Sequence, residues 1–135
     1  KNFPYSHRGS YYTDTNNLYL NLDHVQNIVT LAKVMRHEGW HAAQDCMAGT
    51  IDNSLIAIIL DPDTVPQQYH LSAALRYGLL SPAAIPWETE AIYAGDQEML
   101  TADALGACVA GSMWEEFSPT PMTEEWLRDN GYIKS

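Results

Sequence analysis

A chain of 135 residues, 46% hydrophobic and 18% charged, is the size of one ordinary domain and buries a core without staples, which excludes a disordered segment. Its formal net charge of −10 argues against nucleic acid as a partner, because no basic patch exists to displace counterions from phosphates, and equally against anionic membrane surfaces. No apolar run approaches the roughly 20 residues that span a bilayer.

No signal peptide, low-complexity run or internal repeat is visible. Lys1 stands where an initiator methionine would, as expected of a processed or truncated N-terminus, so the compartment stays open. Cys46 and Cys108 are too few for a disulfide framework and form no C-x-x-C pair. Two buried, reduced thiols are the expected state, with a single disulfide as the alternative.

Residues 1–10 carry Lys1, His7 and Arg8 and read as a tail or an edge segment. Residues 14–17 have turn chemistry. Residues 18–22, LYLNL, alternate with their leucines on one face, which predicts a strand that pairs with Tyr11 and Tyr12 as a hairpin. Asp23 then has N-cap chemistry, and Gln26 completes a capping box. Val25, Ile28, Leu31, Ala32 and Met35 recur at helical spacing, so one long helix is predicted over 24–47, stopped by Gly49.

Residues 54–60 read as a buried helix or a short strand. Residues 67–79 read as a helix. Pro86 suits the first turn of another helix running to about residue 100. Residues 101–117 are rich in small side chains (Ala102, Ala104, Gly106, Ala107, Ala110, Gly111), which predicts close helix packing. A short final helix is expected over 120–131. The expected class is α+β, mostly α-helical, with a small antiparallel hairpin packed beside one long helix, in one domain over residues 1–135.

The long helix contains Arg36-His37-Glu38-Gly39-Trp40-His41. Residues four apart lie one turn above each other on a helix face, so His37 and His41 aim two imidazoles at one point, as a tetrahedral zinc ion requires. Glu38 lies beside that face, where it can take a proton from a water activated by the metal and pass it to a leaving amine. The bland alternative is a surface pair of histidines with a surface glutamate. Gly39 costs about 1 kcal/mol of helix propensity against alanine, and lets another segment come close.

Two histidines leave a zinc site one protein ligand short. No third histidine follows at the spacing of the longer zinc motifs, so the ligand comes from another element: His70, Glu88, Glu90, Asp96 or Glu98. Glu88 shares a helical stripe with Ala91, Ile92, Gly95 and Met99, and a carboxylate on an apolar stripe needs a cation. Glu90 aligns with Ala94, Gln97 and Thr101, a more mixed face. Glu88 is therefore preferred and Glu90 is the alternative third ligand. Both could instead be first-turn acids favoured by the helix dipole.

With a glutamate downstream of the two histidines, the chain resembles the gluzincin metallopeptidases. The run HExxHxxQ at 37–44 followed by PxExEA at 86–91 is similar to that of short metallopeptidase-like proteins, over roughly residues 11–100. The resemblance implies a zincin-like domain, a bound zinc ion, peptide hydrolysis, and a strand ahead of the motif helix that borders the cleft. One feature departs from it. Many gluzincins carry an acid four residues after the ligand glutamate, where this chain has Ile92 or Ala94, so the partner that orients a ligand histidine comes from elsewhere, with Asp96, Asp103 or a backbone carbonyl as options. A helper for the tetrahedral intermediate is expected among Tyr69, His70, Arg76, Tyr77 and Tyr93. Gln44 is expected to brace the motif helix, and Trp40 to pack.

Two functions follow. One is a zinc-dependent peptidase acting on a peptide or protein. The other is a non-catalytic zinc-containing structural or binding component of a larger assembly such as a phage virion; a loose likeness to small phage-encoded proteins adds a toxin-like or virion-associated peptidase as a variant of the first.

Overall fold

The computed structural model describes residues 8–12, 15–21, 27–48, 57–117 and 129. Strand β1 (Gly9–Tyr12) pairs antiparallel with β2 (Asn17–Leu20), Gly9 opposite Leu20 and Tyr12 opposite Asn17. Asn16 takes the left-handed conformation at φ 55°, which asparagine tolerates in a turn. Gly9 and Ser10, within the stretch read above as a tail or an edge segment, belong to this hairpin as part of β1. Leu22 lies outside the described residues. Leu18 and Leu20 share a face as expected, although Leu18 stays exposed.

The hairpin lies on helix α1 (Ile28–Met47). A Cβ at Gly9 would stand 2.9 Å from Val34 Cγ1 and 3.1 Å from Glu38 Cγ, so the strand rides directly over the glutamate of the motif. Two residues on, the Tyr11 hydroxyl lies 2.8 Å from Asp45 Oδ2 and 2.9 Å from Asn16 Oδ1.

Helix α1 starts later than its apolar pattern suggests. Asn27 has extended backbone and accepts the Thr30 N–H at 2.8 Å, which makes it the N-cap. Asp23 and Gln26, the expected capping box, lie outside the described residues, as does Gly49. Ile28 and Met35 are exposed, and burial is concentrated over 38–47, because that half is the one the other helices cover.

Among the described residues four bounded α-helices follow: α2 (Gln67–Tyr77), α3 (Ile85–Asp96), α4 (Leu100–Ala110) and the short α5 (Met113–Glu116). Extended backbone at Gln97 ends α3 before residue 100, so the small-residue stretch is a separate helix. Gly111, at φ 74°, closes α4 with the left-handed residue that glycine supplies at least cost. The expected final helix at 120–131 falls outside the described residues except Asp129.

Helix α1 packs against α3 and α4, and α2 packs against α3. Their core joins Trp40, Ala43 and Met47 of α1 to Ala91 and Ala94 of α3 and Ala104 and Ala107 of α4. Small side chains let the axes approach. A Cβ on Gly39 would reach within 3.0 Å of Thr101 Cγ2, and one on Gly95 within 3.3 Å of the Lys33 carbonyl. Polar clasps fix the same contacts. Arg36 Nε donates to the Gly95 carbonyl at 2.9 Å, Thr101 Oγ1 donates to the Arg36 carbonyl at 2.8 Å, and Lys33 pairs with Asp96 at 2.7 Å.

Residues 57–60 are neither helix nor strand. The Ala57 N–H donates to the Gln44 carbonyl at 2.9 Å, and the Ile59 and Leu60 N–H groups donate to the Glu90 carboxylate. A side chain thus satisfies buried backbone groups that a ladder would otherwise pair. The outer side of α2 carries exposed Leu71 and Leu75, continued by exposed Leu79 and Leu80. No helix among the described residues is long and apolar enough to cross a membrane.

The expectation of reduced cysteines is corrected. Cys46 and Cys108 form a disulfide with Cα atoms 6.2 Å apart. The close α1–α4 packing brings the two helices within bonding reach, a proximity that 62 residues of sequence separation conceal. Closing a loop of that length constrains the unfolded chain by roughly 4 kcal/mol. The Cys46→Ser/Cys108→Ser variant is therefore expected to unfold in urea at a clearly lower midpoint than the oxidised protein, and an unchanged midpoint would show that the link adds no stability.

Candidate metal centre

The helical spacing of His37 and His41 puts both rings on one side of α1, with centroids 5.1 Å apart. Glu88, in the first turn of α3, reaches across to them. Its Oε1 lies 3.1 Å from His37 Nε2 and 3.1 Å from His41 Nε2. Two nitrogens and one carboxylate oxygen thus converge, all within 4.8 Å of one another. Glu38 adjoins the group, with Oε1 at 3.8 Å from His37 Nε2, and is buried under the hairpin.

The hydrogen bonds behind His41 fix where its protons sit. Gln44 Nε2 donates to the Trp87 carbonyl at 3.2 Å and to Glu90 Oε1 at 2.9 Å, so its Oε1 is the atom facing His41 Nδ1 at 2.8 Å. His41 Nδ1 must therefore carry a hydrogen. A neutral His41 then turns the Nε2 lone pair towards the Glu88 oxygen, acceptor against acceptor. Either a second proton on the ring or a cation among the three groups resolves that conflict. Without a cation, burial acts to lower the His41 pKa, but the Glu88 charge and hydrogen bond, with Glu38 behind them, prevail and raise it to about 9. Glu88 is correspondingly held well below the usual carboxylate range: burial opposes this, and the two histidines outweigh it. Ligand atoms around a tetrahedral ion stand about 3.3 Å apart, and an open site uses three protein ligands. The observed spacing and donor set fit a divalent cation.

Glu90 does not join this cluster. Its Oε1 accepts from Trp40 Nε1 at 3.1 Å, Gln44 Nε2 at 2.9 Å and the Ile59 N–H at 3.2 Å, and its Oε2 accepts from the Leu60 N–H at 2.6 Å. Burial pushes its pKa up to about 7 against these four donors. On the face expected to be mixed, Glu90 and Ala94 are as inaccessible as Ala91 and Ile92 of the Glu88 stripe, and Thr101 lies beyond the end of α3. Trp40 and Gln44 of α1 and residues 59–60 close over Glu90, which the residue types on α3 do not reveal.

The other candidates have different work. His70 Nε2 lies 3.0 Å from the Pro62 carbonyl and 3.2 Å from that of Val65, bracing the loop before α2. Asp96 is held by Lys33 and by the Tyr69 hydroxyl at 2.9 Å. Tyr69 and Tyr93 stack edge to face. Arg76, Glu98 and Asp103 are exposed. Tyr77 stands apart: burial, with the charges of nearby Glu88 and Glu38, drives the pKa of its hydroxyl upward. Two roles were not assigned from sequence. Gln44 holds His41, where Asp96, Asp103 or a backbone carbonyl was expected, and Glu90 holds Gln44. The HxxQ spacing was a usable signal for the first, because i and i+3 are helix neighbours.

Comparison of the chain with protein-family models, with curated proteins and with solved structures finds no match.

The two acids of α3 are expected to separate in mutagenesis. Glu88→Gln should abolish stoichiometric divalent-metal binding, and in the metal-free protein it should also lower the unfolding midpoint at neutral pH, because His41 loses the charge that keeps it protonated. Glu90→Gln turns an amide against buried donors and should lower stability by about 1–3 kcal/mol, with binding still stoichiometric. Titration calorimetry and urea melts read the two effects, and the reverse ranking would move the site to Glu90.

The pKa shifts also set a pH dependence for the metal-free protein. Folded His41, at about 9 against an ordinary 6.5, and folded Glu90, at about 7 against 4.5, both keep protons that the unfolded chain has lost. Stability from His41 is full below pH 6.5 and is lost as pH rises through about 9; that from Glu90 is lost as pH rises through about 7. Tm in a chelator is thus expected to fall from pH 6.5 to 9. A divalent cation should oppose the fall, because cation and proton compete for His41. A chelated Tm that holds level over this interval would contradict the assignment.

Proposed function

We propose that this protein is a zinc-dependent metallopeptidase-like hydrolase with a zincin-like arrangement, cleaving peptide bonds with Glu38 as general base. The convergence of His37, His41 and Glu88 beside a buried Glu38 carries this reading. Two imidazoles and a carboxylate with a position left open is the ligand pattern of catalytic zinc. When bound, zinc would lower the pKa of a water to about 7 and polarise the scissile carbonyl.

The chain's own groups supply the rest. Glu38 takes the proton of the attacking water as the new C–O bond forms. It returns that proton to the amide nitrogen as the C–N bond breaks. Its cover by Gly9 excludes water from one side, which strengthens its electrostatic coupling to the neighbouring groups. Tyr77, whose hydroxyl keeps its hydrogen beside Glu88, would serve the oxyanion by turning that single hydrogen from Glu88 towards it. The hairpin gives the site one wall and the end of α2 the other.

A second reading keeps the zinc and drops the turnover: a component of a larger assembly. Exposed Leu71, Leu75, Leu79 and Leu80 favour it, because a soluble chain seldom groups four leucines on its surface without a partner.

Glu38→Gln decides between them. The variant should keep its zinc and its fold, and hydrolysis of a diverse peptide library should fall by about three orders of magnitude or more, as removal of a general base implies. Zinc-loaded wild-type protein with no turnover on the library would favour the second reading. Loss of zinc from Glu38→Gln would mean that Glu38 is itself a ligand.

A further inference from the structure

The His37–His41–Glu88 group accounts for three polar side chains, but a second chain of hydrogen bonds runs behind it. From His41 Nδ1 it passes to Gln44 Oε1 at 2.8 Å, and from Gln44 Nε2 to Glu90 Oε1 at 2.9 Å. All three residues are buried: His41 at 8%, Gln44 at 0% and Glu90 at 2% exposure. The chain ends on main-chain N–H groups of Ile59 and Leu60 and on the Trp40 indole.

Each link removes a freedom from the next. The Glu90 carboxylate and the Trp87 carbonyl both accept, so the Gln44 amide can turn only one way, with its N–H groups towards them. The amide oxygen is then left to face the imidazole. That oxygen accepts only, so the hydrogen of a neutral ring belongs on Nδ1 and the lone pair on Nε2. A Gln44 with freedom to flip would present N–H to Nδ1 and favour the opposite tautomer, whose Nε2–H points at the Glu88 oxygen and closes the site to a cation.

We propose that Gln44 and Glu90 act as a positioning pair that fixes the His41 tautomer with Nε2 free, and so sets the affinity of the site for its metal. The proposal rests on the metal-site reading above. Neither residue touches substrate. Glu90 acts only through Gln44, so its effect on the metal vanishes when Gln44 is apolar.

The test uses the full chain and Zn2+ alone as probe. Gln44→Met has the same length without polar atoms. It should weaken zinc binding in a competition titration by about 10–100-fold, the usual loss for a partner of a ligand histidine. Glu90→Gln should weaken it by about tenfold. The double variant should be no weaker than Gln44→Met, since coupled residues do not add. Additive losses, or unchanged affinity in Gln44→Met, would overturn the proposal.

An imidazole nitrogen NMR spectrum reads the tautomer without activity. Wild-type protein should show His41 protonated on Nδ1, both loaded with zinc and metal-free at a pH where the ring is neutral. Gln44→Met should lose that preference, which a merely structural role would not disturb. If Gln44→Met fails to fold, Glu90→Gln and the wild-type spectrum decide the matter. Wild-type protein that binds no zinc yet shows the Nδ1 tautomer would defeat the proposed function and leave the pair's control of the ring intact. A wild-type ring protonated on Nε2 would defeat the positioning pair itself.

Discussion

Glu90 brings a carboxylate to a place with 2% exposure, and much of the surrounding structure follows from meeting its needs. An unpaired carboxylate there would cost several kcal/mol or more. Donors from α1 and from residues 59–60 meet both oxygens instead. This sets the course of an irregular segment that has no ladder to guide it. It also sets the rotation of α1 about its axis. Trp40 and Gln44, four apart, form one ridge that grips Glu90. His37 and His41, four apart, form the neighbouring ridge that faces Glu88. Two acids two residues apart on α3 point about 200° away from each other. One ridge of α1 serves each.

The histidine ridge was legible because a four-residue spacing means one face whatever the tertiary setting. The choice of Glu88 over Glu90 rested on a less secure step. The stripe around Glu88 is apolar, yet of the two acids Glu90 is the more buried. Glu88 meets the histidines because it sits in the first turn of α3, where the helix end opens towards them. The hairpin and the three main helices after α1 followed from alternation, proline and small residues. The start of α1 did not, because Ile28 and Met35 continue an apolar pattern onto a face that nothing among the described residues covers. The disulfide was also hidden, since it depends on how two helices cross and not on either sequence.

The use of Gln44 beside His41 has an electrostatic side. Glu38 and Glu88 already place two carboxylates at the centre of a chain whose formal charge is −10. An acid in contact with His41 Nδ1 would add a third. A neutral amide accepts the same hydrogen without that charge, and it moves the Glu90 carboxylate one residue further back. The histidine is thereby oriented with less bias towards its doubly protonated form, which would exclude a cation.

Gly39 and Trp40 are the two positions that the short motif leaves unspecified. In this fold they are among its least free. A side chain at 39 would press on Thr101, and the Trp40 ring is wholly buried with its N–H on Glu90. The flanking histidines and glutamate state what chemistry the helix offers, while the spacer states which neighbours it was shaped to meet. A pattern that treats both positions as wildcards therefore keeps the general half of the message and discards the half peculiar to this architecture.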